Sequence, residues 1–197
     1  MTTIHLVRHG ETLANRIGRF AGRTDEPLTA LGRNQAREAA ASLREAGISL
    51  IYTSPVARAR ETAAIMASIL KIPVEEEPGL AEISIPPWDG RLKSDLERDP
   101  DSKYASWKKD PSAFSLPGAE TLADLQKRAM ASIRAILDRH AAEAVAAVSH
   151  LALIRVILLA VEGKDLSFYR HIHVPNATPL ALTWKDENYY VQSGVIP

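Results

Sequence analysis

The chain of 197 residues contains no cysteine. That absence excludes a disulfide scaffold, a thiolate metal site and a cysteine nucleophile together, and it fits a reducing compartment. An excess of charge of one sign is also missing, because 24 Lys plus Arg balance 24 Asp plus Glu. No global field draws the chain to nucleic acid or to an anionic membrane, so any attraction for anions has to be local. Long apolar runs are lacking too. The most apolar stretch, Leu151 to Val161, is too short to span a bilayer and is broken by Arg155. Met1 leads almost at once into Ile4-His5-Leu6-Val7, with no basic or long apolar leader, so no secretion signal is read and the expected address is cytoplasmic. What is present, 46% apolar and 24% charged residues, suits one globular domain with a core, taken as residues 1–197.

Short apolar runs alternate with amphipathic stretches along the chain. Ile4 to Val7 reads as a buried strand that stops at the polar Arg8-His9-Gly10. Thr29 is a helix N-cap, with an alanine-rich helix closing at Gly47. A second strand, Leu50 to Tyr52, runs into Ser54-Pro55, read as an N-cap and first helical residue of a helix to about Leu70. Pro73 begins a third strand, and the proline-rich residues 78–118 form an irregular, partly helical excursion. Thr121 and Asp124 start a long helix to about His140, whose apolar stripe is Leu122, Leu125, Ala129, Ile133, Ile136 and Leu137. Ala144 to Ser149 is a fourth strand, Leu151 to Val161 a buried helix, and Leu180–Trp184 and Tyr189–Gln192 a closing pair of strands across Lys185 to Asn188. This alternation predicts an α/β fold, a mostly parallel sheet with helices on both faces in three layers.

Ligands of such sheets bind beyond the carboxyl ends of the strands. There the pattern places Arg8 and His9 after the first strand, Arg58 in the first turn of the helix after the second, and His150 after the fourth. Two histidines and two arginines at one rim repel unless an anion is held between them. Phosphate is the natural anion, and a helix N-terminus near Arg58 favours it further. All nine basic residues up to position 60 are arginines, which grip phosphate through paired N–H groups. A neutral imidazole can attack phosphorus and form a covalent phosphohistidine.

Leu6-Val7-Arg8-His9-Gly10-Glu11-Thr12 resembles the signature of the histidine phosphatase superfamily, in its phosphoglycerate mutase-like branch. Later segments follow in that family's order: Asn15, Gly22 to Thr29 with Gly32, Thr53 to Ala63, Leu80-Ala81-Glu82 with Trp88-Asp89-Gly90, Pro117 to Thr121, and Val148-Ser149-His150. The resemblance implies a phosphoglycerate mutase-like three-layer fold and a phosphatase that needs no cofactor or metal. It implies that His9 is the phosphorylated nucleophile and that Arg8, Arg58 and His150 surround the phosphoryl group. Asn15 would donate a further hydrogen bond to it. Glu82 would protonate the leaving oxygen and then activate water. Ala21 and Gly22 lie where the family meets its substrate. The chain departs from the pattern at Leu151, where glycine is common, at Ala14 and Ala21, and at Pro86-Pro87, a pair able to displace the loop that carries Glu82.

The expected activity is hydrolysis of a small phosphomonoester, with a small phosphorylated metabolite as the partner, no nucleic acid or membrane, and a homodimer admitted. A phosphoglycerate mutase is the nearest alternative; the short chain favours hydrolysis. An α-ribazole phosphatase is a narrower alternative, hinted at by Gly22 to Thr29. From other classes come a metal-dependent hydrolase built from His9, His150, Glu82 and His171/His173, and a phosphate binder that turns nothing over. Other polar residues carry plainer readings. His5 is a packed histidine, His140 a helix-end cation, Glu11 a structural partner, Trp88 and Trp107 packing residues with room for one ring at the rim, His171 and His173 entrance or exposed residues, Glu75 to Glu77 a solvated run, and Arg33, Arg37 and Arg44 solvated helix faces.

Overall fold

The computed structural model describes residues 1–185 and 188–191. Six strands, β1 (Thr2–Arg8), β2 (Ile48–Thr53), β3 (Val74–Glu76), β4 (Ala144–Ser149), β5 (Pro179–Lys185) and β6 (Asn188–Val191), form one sheet in the order β3-β2-β4-β1-β5-β6. Strands β1 to β4 are parallel, and β5 runs antiparallel to both β1 and β6. The helices are α1 (Leu13–Ile17), α2 (Ala30–Ser42), α3 (Ala57–Leu70), α4 (Lys93–Arg98), α5 (Tyr104–Lys109), α6 (Leu122–Arg139) and α7 (Leu151–Val161).

The central strand β4 reads Ala-Val-Ala-Ala-Val-Ser and is buried over its last five residues, as a strand covered on both faces must be. One face packs Val7, Ile51, Ala146 and Val148 against Ala39 and Ala40 of α2 and Ala63 and Met66 of α3. On the other, Ile4, Leu6, Tyr52 and Ala147 meet the stripe of α6 and the apolar α7. Every residue expected in the α6 stripe is buried. Each such Leu or Ile removed from water contributes about 1.5–3 kcal/mol against chain entropy. The excursion at 78–118 contains 3₁₀ turns at Pro78–Leu80, Pro86–Trp88 and Pro100–Ser102 together with α4 and α5. Its centre is Trp88, fully buried among Phe20, Tyr104, Trp107 and Phe114, with Nε1 donating to the Ser102 carbonyl at 2.8 Å.

Several local expectations need correction. Helix α3 starts at Ala57 after a Val56 N-cap, not at Pro55. The Ser54 hydroxyl accepts from the Val56 N–H and is engaged by His150, so a buried imidazole has claimed the residue read as a cap. Helix α2 ends at Ser42, and a 3₁₀ turn, Arg44–Ala46, carries the chain to Gly47. Helix α1 has no counterpart in the sequence reading; its five residues are too few to show a period, although Thr12 and Asn15 form a reciprocal capping box at its start. Arg33 is not simply solvated, since its Nε donates to Glu61 at 2.6 Å. Glu77 accepts from Gly79 N–H and the Ser132 hydroxyl, so only Glu75 and Glu76 form an exposed run. Of the closing strands, Gln192 and the turn residues Asp186 and Glu187 lie outside the described residues.

Candidate active site

Sheet register brings the site together. Arg8 is paired with Ser149, and the ladder continues one residue further as His9 N–H donates to the Ser149 carbonyl at 2.9 Å. Thr53 is paired with Val148, and Ser54 N–H donates to the Val148 carbonyl at 3.0 Å. The ends of β1, β4 and β2 thereby set His9, His150 and Ser54 side by side at one rim. Helix α3 adds Arg58 from its second residue. The loop after His9 can turn there because Gly10 passes so close to the first turn of α2 that a Cβ on it would stand 2.3 Å from the Gly32 carbonyl oxygen.

His9 is buried, and its Nδ1 lies 2.8 Å from the Gly10 carbonyl oxygen. A carbonyl only accepts, so Nδ1 carries the proton and Nε2 presents its lone pair. Arg58 Nε donates to that Nε2 at 3.1 Å. The other guanidinium nitrogens of Arg58 donate to the carbonyls of Gly22 at 2.7 Å and Thr24 at 3.1 Å. The rings of His9 and His150 are 5.2 Å apart. His150 Nε2 is 2.7 Å from Ser54 Oγ, and its buried Nδ1 has no protein partner among the described residues. Arg8 donates through NH1 to the Val174 carbonyl at 2.9 Å, and its buried Nε is likewise unpartnered among them.

Burial, then Arg58 and Arg8, hold the His9 imidazole well below the usual histidine range, against the Gly10 carbonyl. The same is true of His150, through burial first and then Arg58, His9, Arg8 and Arg128. Both rings are therefore neutral at pH 7. Arg8 is lowered to about 10, mainly by burial, and keeps its charge. Glu82 faces the same cavity. Its carboxyl is pushed up by burial, which outweighs Arg58, the N–H groups of Ile83 and Ala152 and Arg8. Pro86-Pro87 does not carry Glu82 away: the pair opens, four residues beyond Glu82, the 3₁₀ turn that seats Trp88, and Glu82 stays on the cavity.

The loop carrying Glu82 is held from behind. Arg128 of α6 donates to the carbonyls of Gly79 at 2.8 Å and Glu82 at 3.1 Å, and to both oxygens of Glu120 at 2.6 and 3.0 Å. Glu120 also accepts from Ser84 N–H, and Arg23 donates to the Glu82 carbonyl at 2.9 Å. Asn15 lines the cavity; its Oδ1 accepts from Thr12 N–H and from Asn176, whose amide also reaches the His9 carbonyl at 2.8 Å. Ala21 and Gly22 line the cavity as well.

A cavity of about 210 Å³ opens in front of His9, Arg8, Arg58 and Glu82. Its outer wall carries residues that the sequence reading did not place there: Arg19, Phe20, Lys93, Tyr104, Arg155, Tyr169 and Arg170. Apart from the neighbours Arg19-Phe20 and Tyr169-Arg170, they come from separate parts of the chain and share no motif. Trp107, read as packing with a place at the rim left open for one tryptophan ring, is buried and lines the cavity too. His171 and His173 are exposed and stand outside the cavity lining, so the four-part cluster required by a metal hydrolase does not assemble. Among the described residues, no three His, Asp or Glu side chains gather to hold a metal ion, and no helix is long and apolar enough to cross a membrane. Glu11 is structural, with Oε1 accepting from Arg16 and Thr29 at 2.8 Å each.

Residues 4–195 match the histidine phosphatase superfamily (branch 1). The chain belongs to that family. Among its curated relatives, phosphoserine phosphatase 1 of Hydrogenobacter thermophilus is 30% identical over 178 residues, covering 90% of this chain and 84% of the relative. The probable phosphoglycerate mutase GpmB of Yersinia enterocolitica is 27% identical over 196 residues, covering 100% and 91%. Among solved structures, YhfR of Bacillus stearothermophilus superposes with a TM-score of 0.92 at 28% identity, over 97% of this chain and 95% of that one. These neighbours have the mixed α/β architecture, as the alternation of strand and helix predicts.

Proposed function

We propose that this histidine phosphatase hydrolyses a small phosphomonoester through a phosphohistidine on His9, without a metal ion. The observation that carries the reading is the fixed tautomer of His9: with Nδ1 committed to the Gly10 carbonyl, a neutral Nε2 faces the arginines of a small cavity. In the first step the Nε2 lone pair forms a bond to phosphorus as the ester P–O bond breaks. Arg58 and Arg8 carry the charge of the non-bridging oxygens. His150 Nδ1 and the Asn15 amide are donors to the same oxygens. Protonated Glu82 gives its proton to the leaving oxygen. In the second step the Glu82 carboxylate takes a proton from water, whose oxygen attacks phosphorus while the N–P bond breaks. Phosphate leaves, and His9 and Glu82 return to their starting states.

Two observations support Glu82 in that double role. Burial raises its pKa and so favours the protonated acid needed in the first step, and the nearby arginines favour the carboxylate needed in the second. The test measures phosphate release in excess EDTA from an aryl phosphate, O-phosphoserine, 3-phosphoglycerate, α-ribazole phosphate and sugar phosphates, together with acid-labile labelling of the protein by a radioactive phosphoryl donor. Release with labelling that is lost in His9→Ala is expected. Transfer between hydroxyls of 3-phosphoglycerate without release would make the protein a mutase, and turnover in His9→Ala would end the covalent mechanism.

A further inference from the structure

The reaction proposed for the site needs the Asn15 amide to present its nitrogen to the phosphoryl group, yet a primary amide can equally present its oxygen. Backbone groups decide which. Thr12 N–H only donates, and it lies 3.2 Å from one side-chain atom of Asn15, so that atom is Oδ1. The side chain of Asn176 reaches the same Oδ1 at 3.3 Å and the His9 carbonyl oxygen at 2.8 Å. A carbonyl only accepts, so the atom facing both is Asn176 Nδ2, with one hydrogen engaged on each. Two donors thus converge on Asn15 Oδ1. Its Nδ2 keeps both hydrogens uncommitted among the described residues, on a side chain that lines the cavity.

Asn176 arrives from far along the chain, and its turn is tied to the strand that carries the nucleophile. Ala177 N–H donates to the Arg8 carbonyl at 2.8 Å, and Arg8 NH1 donates to the Val174 carbonyl at 2.9 Å. Val174 and Ala177 are both buried, and the Ala177 side chain belongs to the apolar cluster of Val7 and Val148. Ala177 has φ +47°, a left-handed conformation that alanine keeps only where its surroundings impose it. The backbone on both sides of Asn176 is therefore fixed, and its amide is aimed at His9 and Asn15 although Asn176 does not itself line the cavity.

We propose that Asn176 is a positioning residue for phosphoryl transfer, setting through one amide nitrogen both the His9 backbone and the direction of the Asn15 amide. The inference rests on the phosphatase reading and adds to it a residue outside the cavity. Without Asn176, Thr12 N–H alone holds the Asn15 oxygen, and the His9 carbonyl loses its side-chain donor.

The experiment uses Asn176→Ala, with Asn176→Ser as a second variant that keeps a small polar residue in the turn, and follows thermal unfolding and kinetics on the same samples. In both, kcat/KM is expected to fall on nitrophenyl phosphate and on an alkyl phosphate alike, by about tenfold or more in Asn176→Ala, the size of a hydrogen bond to a charged group. Equal losses mark the phosphoryl end, because a displaced proton donor penalises the alkyl ester more. Orthovanadate, which takes up the five-coordinate geometry of phosphorus during transfer, should inhibit more weakly by a similar factor. Added to Asn15→Ala, the Asn176→Ala change should slow the reaction less than it does in the native protein, since part of its effect runs through Asn15. Native kcat/KM in both variants, at whatever melting temperature, makes Asn176 purely structural and overturns the proposal. A loss confined to the alkyl ester, or losses that multiply fully in the double variant, also overturns it. Each of these results leaves the phosphatase reading intact, whereas a native protein that releases no phosphate and takes no label on His9 removes both.

Discussion

Arg58 Nε donates to His9 Nε2 across 3.1 Å, so the side chain expected to grip the phosphoryl group also occupies the lone pair that must attack it. In the proposed reaction, substrate entry would exchange this hydrogen bond for others: the phosphoryl oxygens would take over the guanidinium and free Nε2 to attack phosphorus. The guanidinium does not have to move far, because its other nitrogens are tied to the carbonyls of Gly22 and Thr24.

A lysine in place of Arg58 keeps the charge and loses the fork. Arg58→Lys is expected to lower kcat/KM on an aryl phosphate by about 10²–10³, the usual loss when a preorganised donor to transition-state charge is removed. Steady-state kinetics on the purified variant checks this. An unchanged rate would mean that Arg58 does not touch the phosphoryl group.

The shift of Glu82 sets a pH dependence. Its carboxyl lies above the usual glutamate value because burial outweighs Arg58 and the other opposing groups, so the proton needed by an alkoxide leaving group is retained to higher pH than in a free glutamate. On an alkyl phosphate, kcat/KM should fall as pH rises through the Glu82 pKa, and Glu82→Gln should remove that limb with a slower rate and little change in substrate binding. Persistence of the limb at full rate would move the acid role elsewhere, with Asp89 the next carboxyl to test.

Stability should respond to pH through the two buried histidines. Both have folded-state pKa values depressed well below the usual histidine range, by burial first. The unfolded chain therefore binds protons before the folded one does, and the stability these rings contribute is present above about pH 6.5 and is lost as pH falls toward their folded values. Urea midpoints between pH 7.5 and pH 5.5 should drop more steeply for the native protein than for His150→Gln. Parallel slopes would contradict the assignment.

Gly22 adopts φ +49°, and a Cβ placed there would stand 1.8 Å from Asp89 Oδ1. Its carbonyl also fixes Arg58. Gly22→Ala is expected to cost about 1 kcal/mol or more of stability from backbone conformation alone. It should also reduce kcat through a displaced Arg58. Thermal unfolding and kinetics on the same sample separate the two effects.

Arg128 does not itself line the cavity, yet it binds the carbonyls of Gly79 and of Glu82, which does. Arg128→Ala should cost about 2 kcal/mol of stability through lost charged hydrogen bonds. Its activity signature is more telling. Because Glu82 would be misplaced, kcat/KM should fall further on alkyl phosphates, which need a proton donor, than on nitrophenyl phosphate, which hardly does. Equal losses on both would make the residue purely structural.

Much of this could be read from the chain because the informative signals are local. Apolar runs such as Ala144 to Ser149 mark strands covered on both faces, and the α6 stripe repeats at helical spacing. Chemistry-bearing residues that immediately follow strands, Arg8-His9 and His150, end at the same rim in any parallel sheet. The proline-rich stretch was legible only as irregular, because Trp88 takes its place from contacts with Phe20, Tyr104, Trp107 and Phe114 rather than from its neighbours in sequence.

The sequence by itself determined the alternation of strand and helix, the charge balance, and which residue types stand at the strand ends. Tertiary structure alone decided the outer wall of the cavity. Lys93, Arg155 and Arg170 lie far apart in the chain and carry no motif, and only the packing of the excursion and the 3₁₀ turn against α7 brings their charges together. It also decided the protonation of the site. Burial, a property of the assembled fold, pushes Glu82 up and the two histidines down, and hydrogen-bond geometry places the proton of His9 on Nδ1. Residue identity sets what a group can titrate; its surroundings in space set where.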